Sequence, residues 1–354
     1  MRIIRARNVQ DALPIALALL EREGVERPSR NGPVLIASSV TTIYERPCER
    51  VLFHPARDAN PFFHLYESLW MLAGRNDVEG PARYAKNMAN YSDDGQTLHG
   101  AYGHRWRRHF NPGYASIDQL RTIARTLTVN KDDRRCVLQM WDPNVDLGND
   151  GKDVPCNVTA AFQRGIDGEL NLTVFCRSND IIWGCYGANA VHFSFLLEYM
   201  ALWMGCPVGT YTQISVNWHA YLDTFDKVKS VRPDRVGFIE NPYISKKVYP
   251  AQMFHCDVAE ADDRISDLLF RANNGFSFPS HYGDDEPFFH VAHTMLRAHH
   301  EWKTRGAEKY DVALERLSLA DQSNDWIVAG QEWIRRRQAA AQMRQVLASD
   351  ADHI

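Results

Sequence analysis

At 354 residues, with 45% hydrophobic and 24% charged residues, the chain is of ordinary globular composition and long enough to bury a sizeable core in one large domain or two. Its net charge of −4 gives no global basic field for nucleic acid, no apolar run is long enough to span a bilayer, and Met1-Arg2-Ile3-Ile4-Arg5 lacks the apolar stretch of a secretion signal. Seven cysteines, an odd number without Cys-x-x-Cys pairing or zinc spacing, are expected to be free thiols in a reducing cytoplasm, with no metal.

Asn8 is placed to cap a helix over 9–22, with Leu13, Leu17 and Leu20 on one face and Gly24 ending it. Val34 to Phe53 is rich in Val, Ile, Thr and Tyr and predicts one or two strands. Pro61 opens a helix through Met71 that Gly74 stops. Residues 86–100 read as a polar loop. Cys136 to Trp141 predicts a short buried strand. Val158 to Gln163 and Leu170 to Cys176 predict two more around the turn Gly165-Ile166-Asp167-Gly168. Ala188 to Met204 is a mostly apolar and therefore buried helix. Thr210 to Val216 is β-rich, and His219 to Val228 reads as a further helix.

Strands and helices mix without strict alternation, which predicts α+β rather than a doubly wound sheet. After about 231, Pro233, Pro242, Pro250 and Pro279 break the chain into short pieces, then 286–303 and 309–346 read as helical before a frayed end. A soft boundary near 255 divides a main domain, 1–254, from a helical C-terminal extension, 255–354.

The order of polar residues carries the chemistry. Cys156 follows Pro155, and twenty-one positions later comes Arg177-Ser178-Asn179-Asp180. Gly184 and Asn189 follow, the latter at the head of the apolar helix, and then His219-Ala220-Tyr221. A cysteine followed by an Arg-Ser pair, an amide and a His-x-Tyr suggests a nucleophile in a site for a phosphorylated, ring-bearing substrate. The thiol must ionise to attack, and Arg177 is a source of the positive charge this needs.

A monophosphate is best held by guanidinium forks and a hydroxyl, for which Arg30, Arg134, Arg135, Arg177 and Ser178 are candidates. Glu67 stands beside Leu69 and Trp70 on an otherwise apolar helix, a setting that desolvates a carboxylate and suits it to proton transfer. The bland alternatives are a structural cysteine, a solvated arginine pair, a helix-surface Glu67, and Asn189 as a helix cap.

These blocks resemble the thymidylate synthase superfamily, which includes the pyrimidine nucleotide hydroxymethylases. The resemblance extends to Arg30-Asn31-Gly32, to Tyr66-Glu67-Ser68-Leu69-Trp70, to Gly100-Ala101-Tyr102-Gly103-His104-Arg105-Trp106 and to Asp133-Arg134-Arg135, so it covers about residues 28 to 230. It implies a mixed twisted sheet with helices packed on one side. It also implies a homodimer with shared active sites, in which Arg134 and Arg135 reach across from the partner.

By the same resemblance Cys156 is the nucleophile, adding to C6 of a pyrimidine so that C5 becomes enolate-like. Glu67 and Tyr102 serve proton traffic and ordered water. His219 and Tyr221 hold the sugar 3′-hydroxyl. Asp180 holds the pterin of 5,10-methylenetetrahydrofolate, the one-carbon donor. Asn189 reads the base once a one-residue insertion is allowed after Asp180. An amide can serve uracil or, flipped, cytosine; in the family Asn goes with uracil, which leans the reading to dUMP.

Several positions depart from the synthase pattern. Asn157 replaces the His after the nucleophile, Asn217 replaces an Asp, and Trp218 replaces a Thr. Residues 84–91 contain no tryptophan, and Asp350 to Ile354 does not resemble the apolar synthase tail. Fewer aromatic walls and no matching tail favour attack by water on the exocyclic methylene over hydride transfer. The expected activity is therefore hydroxymethylation of a deoxypyrimidine monophosphate, dUMP or dCMP. The alternatives are a thymidylate synthase or dCMP methylase, an inactive nucleotide- or RNA-binding regulator, and a cysteine hydrolase built from Cys156, His219 and Asn217. The last leaves the arginines unexplained.

Overall fold

Among the described residues, eight strands form one mixed sheet: β1 (Arg2–Ala6), β2 (Val25–Arg27), β3 (Val34–Ala37), β4 (Val40–Tyr44), β5 (Val137–Gln139), β6 (Asn157–Arg164), β7 (Leu170–Asp180) and β8 (Val208–Tyr221). The computed structural model describes residues 2–111, 113, 116–231, 240–251, 254, 256–277 and 286–351. The strand order is β1-β4-β8-β7-β6-β5, with β3 also on β8 and β2 on β3. The long β8 holds the sheet together. Its first part runs antiparallel to β4, its last part antiparallel to β3, and its other edge parallel to β7.

The helices are α1 (Val9–Glu23), α2 (Pro61–Leu72), α3 (Glu79–Tyr84), α4 (Tyr102–Arg107), α5 (Gln119–Val129), α6 (Pro143–Asp146), α7 (Asn189–Trp203), α8 (Leu222–Val228), α9 (Val258–Asn273), α10 (Pro287–Thr304), α11 (Lys309–Leu317) and α12 (Asp325–Ala351). None among the described residues is long and apolar enough to cross a membrane.

Strand alternation decides which face the helices cover. Ala160, Phe162, Leu172, Val174 and Tyr211 are buried towards the helices. Val137, Ala161, Phe175 and Val216 lie in register on the opposite face and are exposed. The α+β expectation therefore holds, with helices gathered on one side. Asn8 accepts from Asp11 N–H at the start of α1, and Asn60 accepts from Phe63 N–H ahead of Pro61 in α2. Gly74, at φ 66°, takes the left-handed turn that ends α2.

Three expectations need correction. His219, Ala220 and Tyr221 belong to β8, and α8 begins only at Leu222. Pairing of Asp180 with His219 and of Val34 with Tyr221 extends the strand over residues of helical pattern. Val34 to Phe53 yields two strands but none beyond Tyr44. Residues 309–346 are not one helix: a turn, in which Asp321 accepts from the N–H and hydroxyl of Ser323, separates α11 from α12. The reading also missed α9, and Lys86–Tyr91 forms a short 3₁₀ turn within the expected loop.

Residues beyond 255 share the core of the sheet domain. Phe62 of α2 meets Trp333 of α12 edge-on, and Tyr66 stacks on Tyr84, which stacks on His299 of α10. Buried Asp325 accepts from the Tyr243 hydroxyl and from Ala251 N–H, tying the start of α12 to the preceding loop.

Candidate active site

The cleft beside the C-terminal ends of β7 and β8 has a volume of about 660 Å³. Cys156, Arg30, Arg177, Ser178, His219 and Tyr221 all line it, although Arg30 comes from a loop far away in sequence. The parallel register sets Ser178 beside Asn217 and Asp180 beside His219. His219 Nδ1 donates to Asn217 Oδ1 at 2.9 Å, which fixes the ring and leaves Nε2 as the other hydrogen-bonding edge.

Cys156 immediately precedes β6. Arg177 clamps the turn before it, with Nε donating to Pro155 O at 2.8 Å and Nη2 to Val154 O at 3.0 Å. Burial pushes the Cys156 thiol up, the Arg177 guanidinium pulls it down, and Asp153 pushes it up again. Burial prevails, so the expected net activation by Arg177 is not found in the free site. The Tyr102 hydroxyl accepts from the N–H groups of both Cys156 and Asn157, each at 3.2 Å. Burial raises the Tyr102 phenol, which keeps its own proton available to donate.

Behind Cys156, a chain of amides lies between the sheet and α7. Asn157 Nδ2 donates to Asn189 Oδ1, Asn189 Nδ2 donates to Asn179 Oδ1, and Asn179 Nδ2 donates to Ser215 Oγ, at 3.1, 3.1 and 2.9 Å. Asn189 has helical φ −63° and ψ −38°, and its side chain enters this chain instead of capping the helix. Ahead of it lies a wide helical turn, Ile181–Ala188, in which Tyr186 and Gly187 are non-helical. A Cβ on Gly187 would meet Ile182 O at 2.7 Å and Arg57 Nη2 at 2.9 Å.

Glu67 is 6% exposed, which excludes the helix-surface alternative. Its Oε2 lies 2.9 Å from His192 Nε2. Asp180 accepts from Ile182 and Trp183 N–H through Oδ1, while Oδ2 is buried without a partner. Burial pushes this carboxyl up, against the Trp183 N–H and the nearby His219. Trp183, 56% exposed, lies over the Arg57 guanidinium and, with Tyr91 and Tyr221, lines an adjoining cavity of about 590 Å³. Aromatic walls are therefore present, Tyr91 from within the tryptophan-free segment 84–91 and Trp183 and Tyr221 from outside it. Residues 352–354 of the tail lie outside the described residues.

Arg134 and Arg135 are not brought to the cleft of their own chain. The Arg135 side chain is 86% exposed and pairs with Asp133. Sequence reading also missed several participants. Asn179 stands inside the Arg-Ser block, so its place was visible but its role was not. His192 follows Asn189 by three residues, one helical turn along the same side. Trp141, Asn149 and Lys152 line the cleft. Asp146 also lines it, and is bound by the fully buried Arg105 at 2.9 and 3.1 Å and by His99 at 2.7 Å.

The model of the thymidylate synthase family matches residues 57–241. A deoxyuridylate hydroxymethyltransferase of Pseudomonas phage M6 is 49% identical over 99% of this chain and 98% of its own length. Another, of Bacillus phage SP01, is 40% identical over 59% of this chain and 56% of its own length. A provisionally named thymidylate synthase of Methanosarcina barkeri is 29% identical over 65% of this chain and 94% of its own length. A cysteine in a cleft walled by arginines, Ser178 and His219, on this sheet and with these relatives, has one reading at the level of family: the chain belongs to the thymidylate synthase family, whose members are one-carbon transferases.

Proposed function

We propose that this enzyme transfers the one-carbon unit of 5,10-methylenetetrahydrofolate to C5 of dUMP and finishes with water, giving the 5-hydroxymethyl nucleotide and tetrahydrofolate. The carrying observation is that the Cys156 thiol shares one cleft with Arg30, Arg177, Ser178, His219 and Tyr221. The names of the two phage relatives support dUMP and hydroxymethylation.

In this reading Cys156 Sγ adds to C6, and the electron pair released to C5 attacks the methylene carbon of the folate. Loss of the C5 proton and departure of tetrahydrofolate leave an exocyclic methylene. Water adds to that carbon, Glu67 accepts its proton, and re-formation of the C5–C6 double bond expels Cys156 as thiolate. Tyr102 orders water beside the nucleophile. Arg30, Arg177 and Ser178 bind the phosphate, and His219 and Tyr221 bind the sugar. Asn189 reads uracil, held in orientation by Asn157.

Tyr91 and Trp183, which line the adjoining cavity, would hold the folate ring, and Asp180 would supply a polar contact to it. The contiguity of the two cavities through Asn31 and Tyr221 supports this. Arg134 and Arg135 complete the phosphate site of a second copy in a cytoplasmic homodimer. The exposed apolar residues Val137, Phe175 and Val216 on one sheet face support such a partner, Val137 standing two residues after Arg135.

The test is incubation with methylenetetrahydrofolate and, separately, dUMP, dCMP, UMP and CMP, with mass spectrometry of each nucleotide. A hydroxymethyl gain on dUMP is expected. A methyl gain with dihydrofolate formed would make the enzyme a reductive methylase, a reading that the aromatic pair at Tyr91 and Trp183 would then serve.

A further inference from the structure

The helix that presents Asn189 also presents His192 on the same side, one turn deeper. Asn189 meets Asn157 beside the nucleophile, and His192 meets Glu67. His192 is 3% exposed and Glu67 is 6% exposed. Their contact is of hydrogen-bond length but bent from alignment, so that His192 Nε2 is otherwise unsatisfied. A buried imidazole nitrogen beside a buried carboxylate is costly unless the two share a proton.

The surroundings leave this pair to itself. His64, also on α2, has its ring centroid 6.4 Å from that of His192, and burial together with Arg57 holds it well below the ordinary imidazole range, hence neutral. Asp153, on the loop before Cys156, has its carboxyl raised by burial, with a further push from Glu67. Among the described residues, His192 is the basic group within ion-pair distance of Glu67.

We propose that His192 is a positioning residue for Glu67: its Nε2–H holds Oε2, so that Oε1 is aimed at the water that attacks the exocyclic methylene. The proposal rests on Glu67 being the proton-transfer group of the reaction described above. In that step the water oxygen bonds to the methylene carbon, the methylene π pair moves into the ring, and the water proton passes to Glu67 Oε1. His192 keeps its proton throughout. Expulsion of the Cys156 thiolate closes the balance without oxidant or reductant.

Two variants and one spectrum test this. His192→Leu should lower kcat on dUMP by about ten- to a hundredfold, the size of a hydrogen bond to an ionised group, and move the acid limb of the kcat–pH profile to higher pH. KM for dUMP should change by less than about threefold, because the residue acts on a step and not on binding. His192→Gln, which keeps a donor of similar reach, should restore most of the rate and return the limb.

Independently of turnover, the Nε2 proton of His192, assigned by its loss in His192→Gln, should shift in the ¹⁵N-histidine NMR spectrum of Glu67→Gln. A His192→Leu profile that overlays the wild type, or a resonance indifferent to Glu67→Gln, overturns the proposal. Wild-type enzyme that makes no hydroxymethyl product from dUMP refutes the function instead, and the resonance then decides the pair.

Discussion

Replacing Asn189 by aspartate tests how the choice of base is built. The amide is held from both sides, its Oδ1 by Asn157 Nδ2 and its Nδ2 by Asn179 Oδ1, each at 3.1 Å. These contacts fix which end is oxygen. In the proposed reading the remaining N–H serves uracil O4 and the remaining lone pair serves N3–H. Cytosine demands the reverse, which would turn donor on donor at Asn157, while Asn179 could turn to follow.

Asn189→Asp removes the N–H. Asn179 can turn its own amide to donate, because Ser215 Oγ, 2.9 Å away, can reverse its hydroxyl to match. Uracil O4 has no such recourse. An unpaired buried acceptor costs about 1–3 kcal/mol, so kcat/KM for dUMP should fall by roughly ten- to a hundredfold. The 4-amino group of dCMP gains an acceptor, and the ratio should swing towards cytosine by at least that factor. Competition between equimolar dUMP and dCMP, read by mass spectrometry of the products, measures the ratio directly. An unchanged ratio, or an equal loss on both bases, would refute the argument that Asn157 and Asn179 orient the reader.

Cys156→Ala should bind dUMP yet give no product, as read by calorimetry and mass spectrometry; measurable turnover would remove the covalent mechanism. If Arg135 acts in the neighbouring site, Arg135→Ala and Cys156→Ala should each be inactive alone, while a refolded equal mixture should recover about a quarter of wild-type activity through the one intact site of each mixed dimer. No recovery would return Arg135 to its own chain.

Burial pushes the Asp325 carboxyl up to about 6, whereas the unfolded value is about 3.9. Between those values the unfolded chain has released a proton that the folded chain still holds, so stability falls as pH rises through this window. Asp325→Asn lacks that loss, and its unfolding free energy relative to wild type should improve by about 3 kcal/mol between pH 4 and pH 7. A gap independent of pH, measured by urea unfolding, would refute the assignment.

Much of the sheet could be read in advance because β6 and β7 alternate so regularly about the Gly165–Gly168 turn. The nucleophile, Arg177 and Ser178 were legible because the residues of the cleft lie in ordered blocks. What could not be read depends on pairing and partners across space. His219 and Tyr221 have a helical pattern, but the neighbours β7 and β3 draw them into a strand. The lowered thiol expected from Arg177 assumed that charge outweighs burial, and the balance is the reverse. His192 looked like one more residue of a buried helix until α2 set Glu67 against it. Trp183 followed the Asp180 block unremarked, and its sharing of a cavity with Tyr91 emerges only in the folded chain.

The wide turn ahead of α7 has a consequence for how this enzyme can change over generations. A straight helix advances by about 100° per residue, so gaining or losing one residue before Asn189 would ordinarily spin every side chain after it off target. Here an irregular backbone at Tyr186 and Gly187 precedes the helix and sets its rotation, and Asn189 and His192 arrive at Asn157 and Glu67. In the proposed mechanism base reading and proton handling thus share one mechanical mounting. Drift in the length of that turn is permitted only in steps that leave the helix unrotated, and Gly187, hemmed in by Ile182 O and Arg57, is the point at which such drift is policed.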